Sequence, residues 1–212
     1  PAELVYSNSS KLAQLNTIVD KTVLFPKEYP YTSSTTKILR KNFEELRFEC
    51  EKIVKLQKKD LIIDIGSNDG NLLSNFKKKY EVLGITPEEI GKIAIKRGIK
   101  TLIKYFDKNT ANFVVKKFGK AKIVTATNVF AHIENVYDVM KNILKILKKD
   151  GVFISESHYL ASLIKTNQYD TIYHEHLRYY SLMSLKYLFN KFGLEIIHAK
   201  KIDTHGGSIR VY

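Results

Sequence analysis

The chain has 212 residues, 44% of them hydrophobic, enough to build the core of one α/β domain. Lys and Arg outnumber Asp and Glu by 35 to 22, and the resulting charge of +13 suits an anionic partner, either a polyanion or a phosphorylated small molecule. One cysteine, Cys50, excludes an internal disulfide and a cysteine-based zinc site; with no apolar run of membrane-spanning length and no export-type start, a cytoplasmic protein is expected.

Residues 1–34 read as an irregular segment, punctuated by prolines and ending in a Ser/Thr cluster. The rest, 35–212, reads as one folded domain. It opens with a helix in which Leu39, Phe43, Leu46, Cys50 and Ile53 recur at spacings of four and three, on one face, with Thr35 or Thr36 as N-cap. Strands are then expected at Leu61–Ile65, Glu81–Ile85, Thr101–Lys104, Lys122–Thr127 and Gly151–Ser155. Helices are expected at Asn71–Lys79, Glu88–Lys96, Asn109–Phe118, Val136–Lys148 and Leu182–Phe192. Lysine pairs and triplets fall mainly at helix ends, where cations complement the helix dipole, so most of the charge reads as solvated surface. The arginine-rich and aromatic signatures of RNA binding do not occur, and a small-molecule partner is expected, not a nucleic acid or membrane.

Strands that alternate with helices imply a parallel sheet covered on both faces. The last two strand-like segments, Glu195–Lys201 and Gly207–Tyr212, are too close for a crossover helix and imply an antiparallel hairpin at one edge. The expected fold is therefore α/β, with a mostly parallel seven-stranded, Rossmann-like sheet.

The most telling stretch is Leu61-Ile62-Ile63-Asp64-Ile65-Gly66-Ser67-Asn68-Asp69-Gly70. A buried strand ends in a carboxylate and breaks into glycines, which lets backbone approach a ligand without Cβ atoms in the way. It lacks both the G-x-G-x-x-G of dinucleotide folds and the Lys-Ser/Thr of a P-loop. It resembles the first motif of the S-adenosylmethionine-dependent methyltransferases, and the closing hairpin belongs to their class I fold. That resemblance implies S-adenosyl-L-methionine as cofactor. It would be held by Asp64, Gly66, Ser67, Asn68, Asp69 and Gly70, then by Thr86 after the second strand, and by Asn128, Val129 and Phe130 after the fourth. Asp64 also reads as a carboxylate bonded into its surroundings for structure, and His132 reads equally as a structural histidine. Family members carry Asp or Glu at the position of Thr86, so the ribose contact either rests on this hydroxyl or moves to Glu88 or Glu89.

After the fifth strand come Glu156-Ser157-His158-Tyr159 and then Tyr169 to Ser181, dense in tyrosine and histidine. On a helix, Tyr169, Tyr173, His176 and Tyr180 would share a face, either as core packing or as a site. His174 and His176 offer at most two metal ligands, and no metal is expected. Methyl transfer needs an activated nucleophile. Histidine, with a pKa near about 6.5, suits the base, and a tyrosine hydroxyl suits a developing oxyanion.

Tyr29-Pro30-Tyr31-Thr32-Ser33-Ser34, Asn128–Ile133, Tyr173-His174-Glu175-His176 and His205-Gly206-Gly207-Ser208-Ile209-Arg210-Val211-Tyr212 together make the chain resemble the sugar-nucleotide C-methyltransferases of branched deoxysugar biosynthesis. The resemblance runs over about residues 15–212. It implies His176 as base, Tyr173 and Glu175 in support, and Tyr31, His132, Glu156, His158, Tyr159 and His205 around the sugar. Family members carry a cysteine-rich zinc segment before the Tyr-Pro-Tyr stretch and a further domain after the Gly-Gly strand; neither has a counterpart in these residues. The same residues also fit an O-methyltransferase for a sugar or other small metabolite, and the positive charge fits a non-catalytic nucleic-acid-binding domain on this scaffold. Oligomeric state is not legible.

Overall fold

The computed structural model describes residues 2–24 and 32–212. In chain order the elements are β1 (Leu4–Ser7), β2 (Leu12–Leu15), α1 (Lys21–Leu24), α2 (Lys37–Ile53), β3 (Leu61–Ile65), α3 (Asn71–Ser74), β4 (Glu81–Thr86), α4 (Gly91–Lys96), β5 (Thr101–Ile103), α5 (Lys108–Phe118), β6 (Ala121–Thr127), α6 (Val136–Ile146), β7 (Leu147–His158), α7 (Leu160–Lys165), β8 (Arg178–Tyr179), α8 (Leu182–Lys191), β9 (Ala199–Ile202) and β10 (Ser208–Val211). Single 3-10 turns occupy Ser33–Thr35, Phe130–His132 and Tyr169–Thr171.

The main sheet has seven strands in the order β5-β4-β3-β6-β7-β10-β9. Parallel pairing joins β5 to β4, β4 to β3 and β3 to β6, whereas β10 runs antiparallel to both β7 and β9. This is the expected sheet, hairpin included. The chain divides into two compact units. One comprises residues 25–127 and 137–154; the other comprises 1–24, 128–136 and 155–212.

In the first unit β3 lies between β4 and β6 and is buried at every position, as a parallel strand covered on both faces is. α2 buries Leu39, Phe43, Leu46 and Cys50 of the expected stripe and leaves Ile53 half-buried, and the Thr36 side chain caps it by accepting from the Leu39 N–H. The strand ends are tied by lysines: Lys148 donates to Asp60 at 2.6 Å and Lys122 to Asp150 at 2.6 Å. α6 stops at Ile146 and β7 begins at Leu147, four residues before the expected Gly151. Lys148 is a strand residue with a buried carboxylate as partner, not helix-end punctuation.

In the second unit, part of the stretch expected to be irregular is a hairpin: β1 and β2 pair antiparallel, and β8 adds to β2 as a third strand. Ala13 and Leu15 of β2 pack with Leu163 and Tyr179 in a small cluster of their own. Short strands whose partner lies far along the sequence leave little local signal, which is why composition alone reads them as loop. The segment from Tyr169 is not a helix either; after its single 3-10 turn it runs through turns into β8. β9 starts at Ala199, four residues beyond the expected Glu195.

Candidate functional site

In the first unit, the loop leaving β3 turns on three residues with positive φ: Gly66 at 75°, Asn68 at 49° and Gly70 at 77°. A Cβ at Gly70 would stand 2.6 Å from Ile99 Cδ1 and 2.9 Å from Ala94 Cβ, so both conformation and space demand glycine there. The N–H groups of Gly66 and Ser67 both donate to the Ile85 carbonyl, at 2.8 and 3.1 Å, and so tie this loop to β4. Asn68 Oδ1 accepts from the Ser33 N–H at 2.9 Å.

Asp64 is buried and accepts a 2.6 Å hydrogen bond from Thr125 Oγ1, its register partner on β6. Burial pushes its carboxyl up to about 7, and the Thr125 hydrogen bond opposes only part of that. Asp69, also buried, faces Ser33 and Arg97, accepting at 2.7 Å from Ser33 Oγ and at 2.9 Å from Arg97 Nη1. Burial would raise its pKa, but the Ser34 and Ser33 hydrogen bonds and the Arg97 charge outweigh it and hold the carboxyl below its usual range. The expected loop ligand Asp69 is thus committed to closing the loop. At the end of β4, buried Thr86 donates its hydroxyl to the Glu88 carboxylate.

In the second unit, Asn128 leaves β6 with φ of 55° and donates its N–H to the Glu156 carbonyl at 2.7 Å, while its side-chain Oδ1 is buried without a hydrogen-bond partner. Val129 is half-buried. Phe130 is fully buried, with its ring stacked on Tyr180 at 5.7 Å, and belongs to the core, not to a ligand surface.

The same unit gathers four histidines around one tyrosine. His176 Nδ1 lies 2.8 Å from the Thr171 carbonyl, so this nitrogen carries the proton, and Nε2 is left to accept from the Tyr173 hydroxyl at 3.2 Å. The ring of His158 lies 4.1 Å from that of His176, His132 lies 5.1 Å from it, and exposed His205 lies 5.8 Å from His158. His132 Nδ1 is fixed at 2.7 Å by the Glu175 carbonyl, and the Glu175 carboxylate acts on His176 and Tyr173 through its charge. Burial and the neighbouring imidazoles hold His176 at about 4 and His158 at about 3, both well below the ordinary histidine value. Both rings are neutral bases at physiological pH.

Glu156 is not open to a ligand. It is fully buried and accepts at 2.8 Å from Arg210 Nε, its register partner on β10, itself fully buried. Tyr159 is half-buried, its N–H bonded to the Gly207 carbonyl. His205, Gly206 and Gly207 all have positive φ, and a Cβ at Gly206 would fall 1.9 Å from Gln168 Oε1. Tyr31 lies outside the described residues. Among the described residues, no group of three or more His, Cys, Asp or Glu side chains is arranged to hold a metal ion.

Sequence reasoning missed Tyr179 and the Thr171 carbonyl. Tyr179 donates to that carbonyl at 3.3 Å, and burial pushes its own hydroxyl up to about 12. The tyrosine-rich run contained both residues, but backbone acceptors carry no side-chain signature.

The buried groups imply a specific acid response. Unfolded, His158 and His176 take up protons near pH 6.5; folded, they stay neutral down to about pH 3 and about 4. Between about pH 6.5 and 4 the unfolded chain therefore binds two protons more, and acidification destabilises the fold. Asp64 acts oppositely, being protonated in the fold below about 7 but ionised in the unfolded chain until about pH 4. These three groups leave a net slope of about 1.4 kcal/mol per pH unit. Asp64→Asn is expected to double that slope, measured by denaturant melts between pH 6.5 and 4.5. An unchanged slope would mean that Asp64 is ionised in the fold.

A mostly parallel seven-stranded sheet with an antiparallel closing hairpin, and a glycine turn leaving β3, define the class I methyltransferase fold. Over residues 38–199 the sequence matches the family described as "Methyltransferase domain", and the chain belongs to that family. It is 33% identical over 214 residues to the C-methyltransferase NovU of Streptomyces niveus; the match takes in 100% of this chain and 51% of that protein, so the chain spans about half its relative's length. Among solved structures, the fold is similar to an S-adenosylmethionine-dependent methyltransferase of Clostridium acetobutylicum, with TM-score 0.61, 14% identity, and 81% of this chain and 90% of that one covered. It is similar also to the magnesium protoporphyrin IX methyltransferase of Synechocystis, solved with bound SAH, with TM-score 0.62, 12% identity and 81% of each chain covered. At those identities the likeness is one of fold.

Proposed function

We propose that this chain is an S-adenosylmethionine-dependent methyltransferase that methylates the carbon beside the keto group of a nucleotide-linked sugar. The observation that carries the catalytic part is the hydrogen bond between the Tyr173 hydroxyl and His176 Nε2, with Nδ1 of the same ring engaged by Thr171. That pair is a neutral base with an acid beside it. The relative's printed name, C-methyltransferase, supports carbon as the acceptor.

The residues suit the cofactor. On the first unit, Asp64 is half-protonated near neutrality by burial and gains from a neighbouring cation. The Thr86–Glu88 pair offers a carboxylate at a strand end. When bound, S-adenosylmethionine supplies a methyl group on a positively charged sulfur. His176 Nε2 takes the proton from the ring carbon, and the electron pair left behind delocalises onto the keto oxygen. In releasing Nε2, the Tyr173 hydroxyl becomes a donor to that oxygen, where charge develops. His158 and His132, both neutral, wall the imidazole without adding a competing positive charge. A lysine-rich surface favours approach of a pyrophosphate-bearing substrate.

The test is incubation with methyl-labelled S-adenosylmethionine and a panel of keto-deoxysugar nucleotides, with NMR of the product. A methyl group on ring carbon, accompanied by loss of the adjacent hydrogen, supports the proposal. A methoxy product with that hydrogen retained assigns the chain to O-methylation instead. Tyr173→Phe is expected to slow turnover by about 10- to 1,000-fold, the range for one oxyanion donor, with cofactor affinity intact. An unchanged rate would assign Tyr173 to packing.

A further inference from the structure

We propose that Glu88, held by Thr86, is the residue that grips the cofactor ribose, replacing a carboxylate this chain does not carry at the strand end. The inference rests on the reading of the chain as a user of S-adenosylmethionine, and concerns only how the nucleoside is held. In an open α/β sheet, ligands lie off the carboxyl ends of the strands at the point where strand order reverses. Here the chain moves outward from β3 to β4 and β5, then returns to the other side of β3 with β6, so β3 is that point. In the related sheets that bind dinucleotides, an acidic residue about 20 positions past the glycine turn takes the ribose hydroxyl. Counted from Gly66, that position is Thr86.

A threonine there offers one proton, and this one is already given to the Glu88 carboxylate. The contact moves a negative charge back to the end of β4 from two residues further on. Local packing fixes the turn that delivers it. The Gly91 N–H donates to the Glu88 carbonyl at 3.1 Å, and a Cβ on Gly91 would stand 2.8 Å from Thr86 Cγ2, so α4 begins directly against the threonine. The choice between the two adjacent glutamates is also settled by their partners. Glu89 is ion-paired with Lys92, which neutralises it on the surface. Glu88 accepts instead from a neutral hydroxyl, that of Thr86. A carboxylate has about four acceptor positions, so one spent on Thr86 leaves enough for two vicinal hydroxyls.

The experiment is calorimetric titration of the intact chain with S-adenosylhomocysteine and with its analogue lacking both ribose hydroxyls, for wild type, Glu88→Gln, Glu89→Gln and Thr86→Val. Glu88→Gln is expected to weaken S-adenosylhomocysteine by about 10- to 100-fold, the cost of losing charged hydrogen bonds, while the analogue binds both proteins alike. Thr86→Val should lose part of the same discrimination, and Glu89→Gln should bind within about twofold of wild type. Circular dichroism checks that each variant is folded. Equal affinity of Glu88→Gln and wild type, an equal loss for both ligands, or a loss confined to Glu89→Gln each overturns the assignment while leaving the cofactor reading in place. Failure of the wild-type protein to bind S-adenosylhomocysteine would overturn both.

Discussion

His176→Ala is expected to abolish turnover, by about 100- to 10,000-fold, while affinity for S-adenosylhomocysteine stays within a few-fold. The split follows from where the ring sits. His176 lies in the unit built from 128–136 and 155–212, among His132, His158 and Tyr173, whereas the glycine turn and the Thr86–Glu88 pair belong to the other unit. A base acts on the substrate proton, so its removal should appear in kcat. His176→Asn provides the control, because its amide nitrogen can still donate to the Thr171 carbonyl but offers no basic nitrogen. Both variants should be equally inactive, and added imidazole should restore part of the alanine variant's rate. Turnover and cofactor affinity falling together would mark His176 as structural. The expected pH dependence has a matching sign: with burial holding His176 at about 4, the proposed base should stay competent through neutrality and be lost only as acid approaches that value.

The second large effect is on stability. Arg210→Met is expected to destabilise the fold by about 3 to 5 kcal/mol, because it strands the Glu156 carboxylate in a fully buried position. For a chain of this size the melting temperature should fall by about 6 to 20 °C. The double variant Arg210→Met with Glu156→Leu should recover most of the loss, since an apolar pair carries no desolvation cost. If the double variant is no more stable than the single one, the Arg210 stem, not its charge, does the stabilising. Thermal melts of the three proteins decide this. The pair joins β7 to β10 at the strand end where Asn128 also hydrogen-bonds the Glu156 carbonyl, so its effect is on the frame around the histidines.

Legibility differed by element for physical reasons. α2 was readable because a helix packed on one side repeats its apolar residues every three or four positions, and Leu39, Phe43, Leu46 and Cys50 do so. β3 was readable because a strand flanked on both sides is apolar throughout, and Asp64 stood out against it. The β1–β2 hairpin was not, since only Ala13 and Leu15 of its eight residues are buried, and their partners Leu163 and Tyr179 lie far along the chain. The Tyr173–His176 pairing was anticipated on helical geometry and is achieved by a turn instead: a spacing of three brings two side chains together either way. The partners of Glu156 and Asp69 were not legible for one shared reason. A carboxylate near a motif looks the same in sequence whether a ligand or an arginine is waiting for it, and Arg210 and Arg97 are 54 and 28 positions away.

The sequence by itself determined the order of the strands in the main sheet's chain path, the glycine turn after β3 and the types of side chain available for proton transfer. Those properties are local: they follow from periodicity, from the positive φ that glycine tolerates, and from the intrinsic chemistry of imidazole and phenol. Only the tertiary structure decided which of those groups meet. Pairing across β7 and β10 buried Glu156 against Arg210, packing of α4 on β4 delivered Glu88 to Thr86, and the turn after Tyr169 brought a backbone carbonyl to His176. Burial then set the charge states of Asp64, His158 and His176, because an ionised group loses its hydration only once the rest of the chain has closed around it.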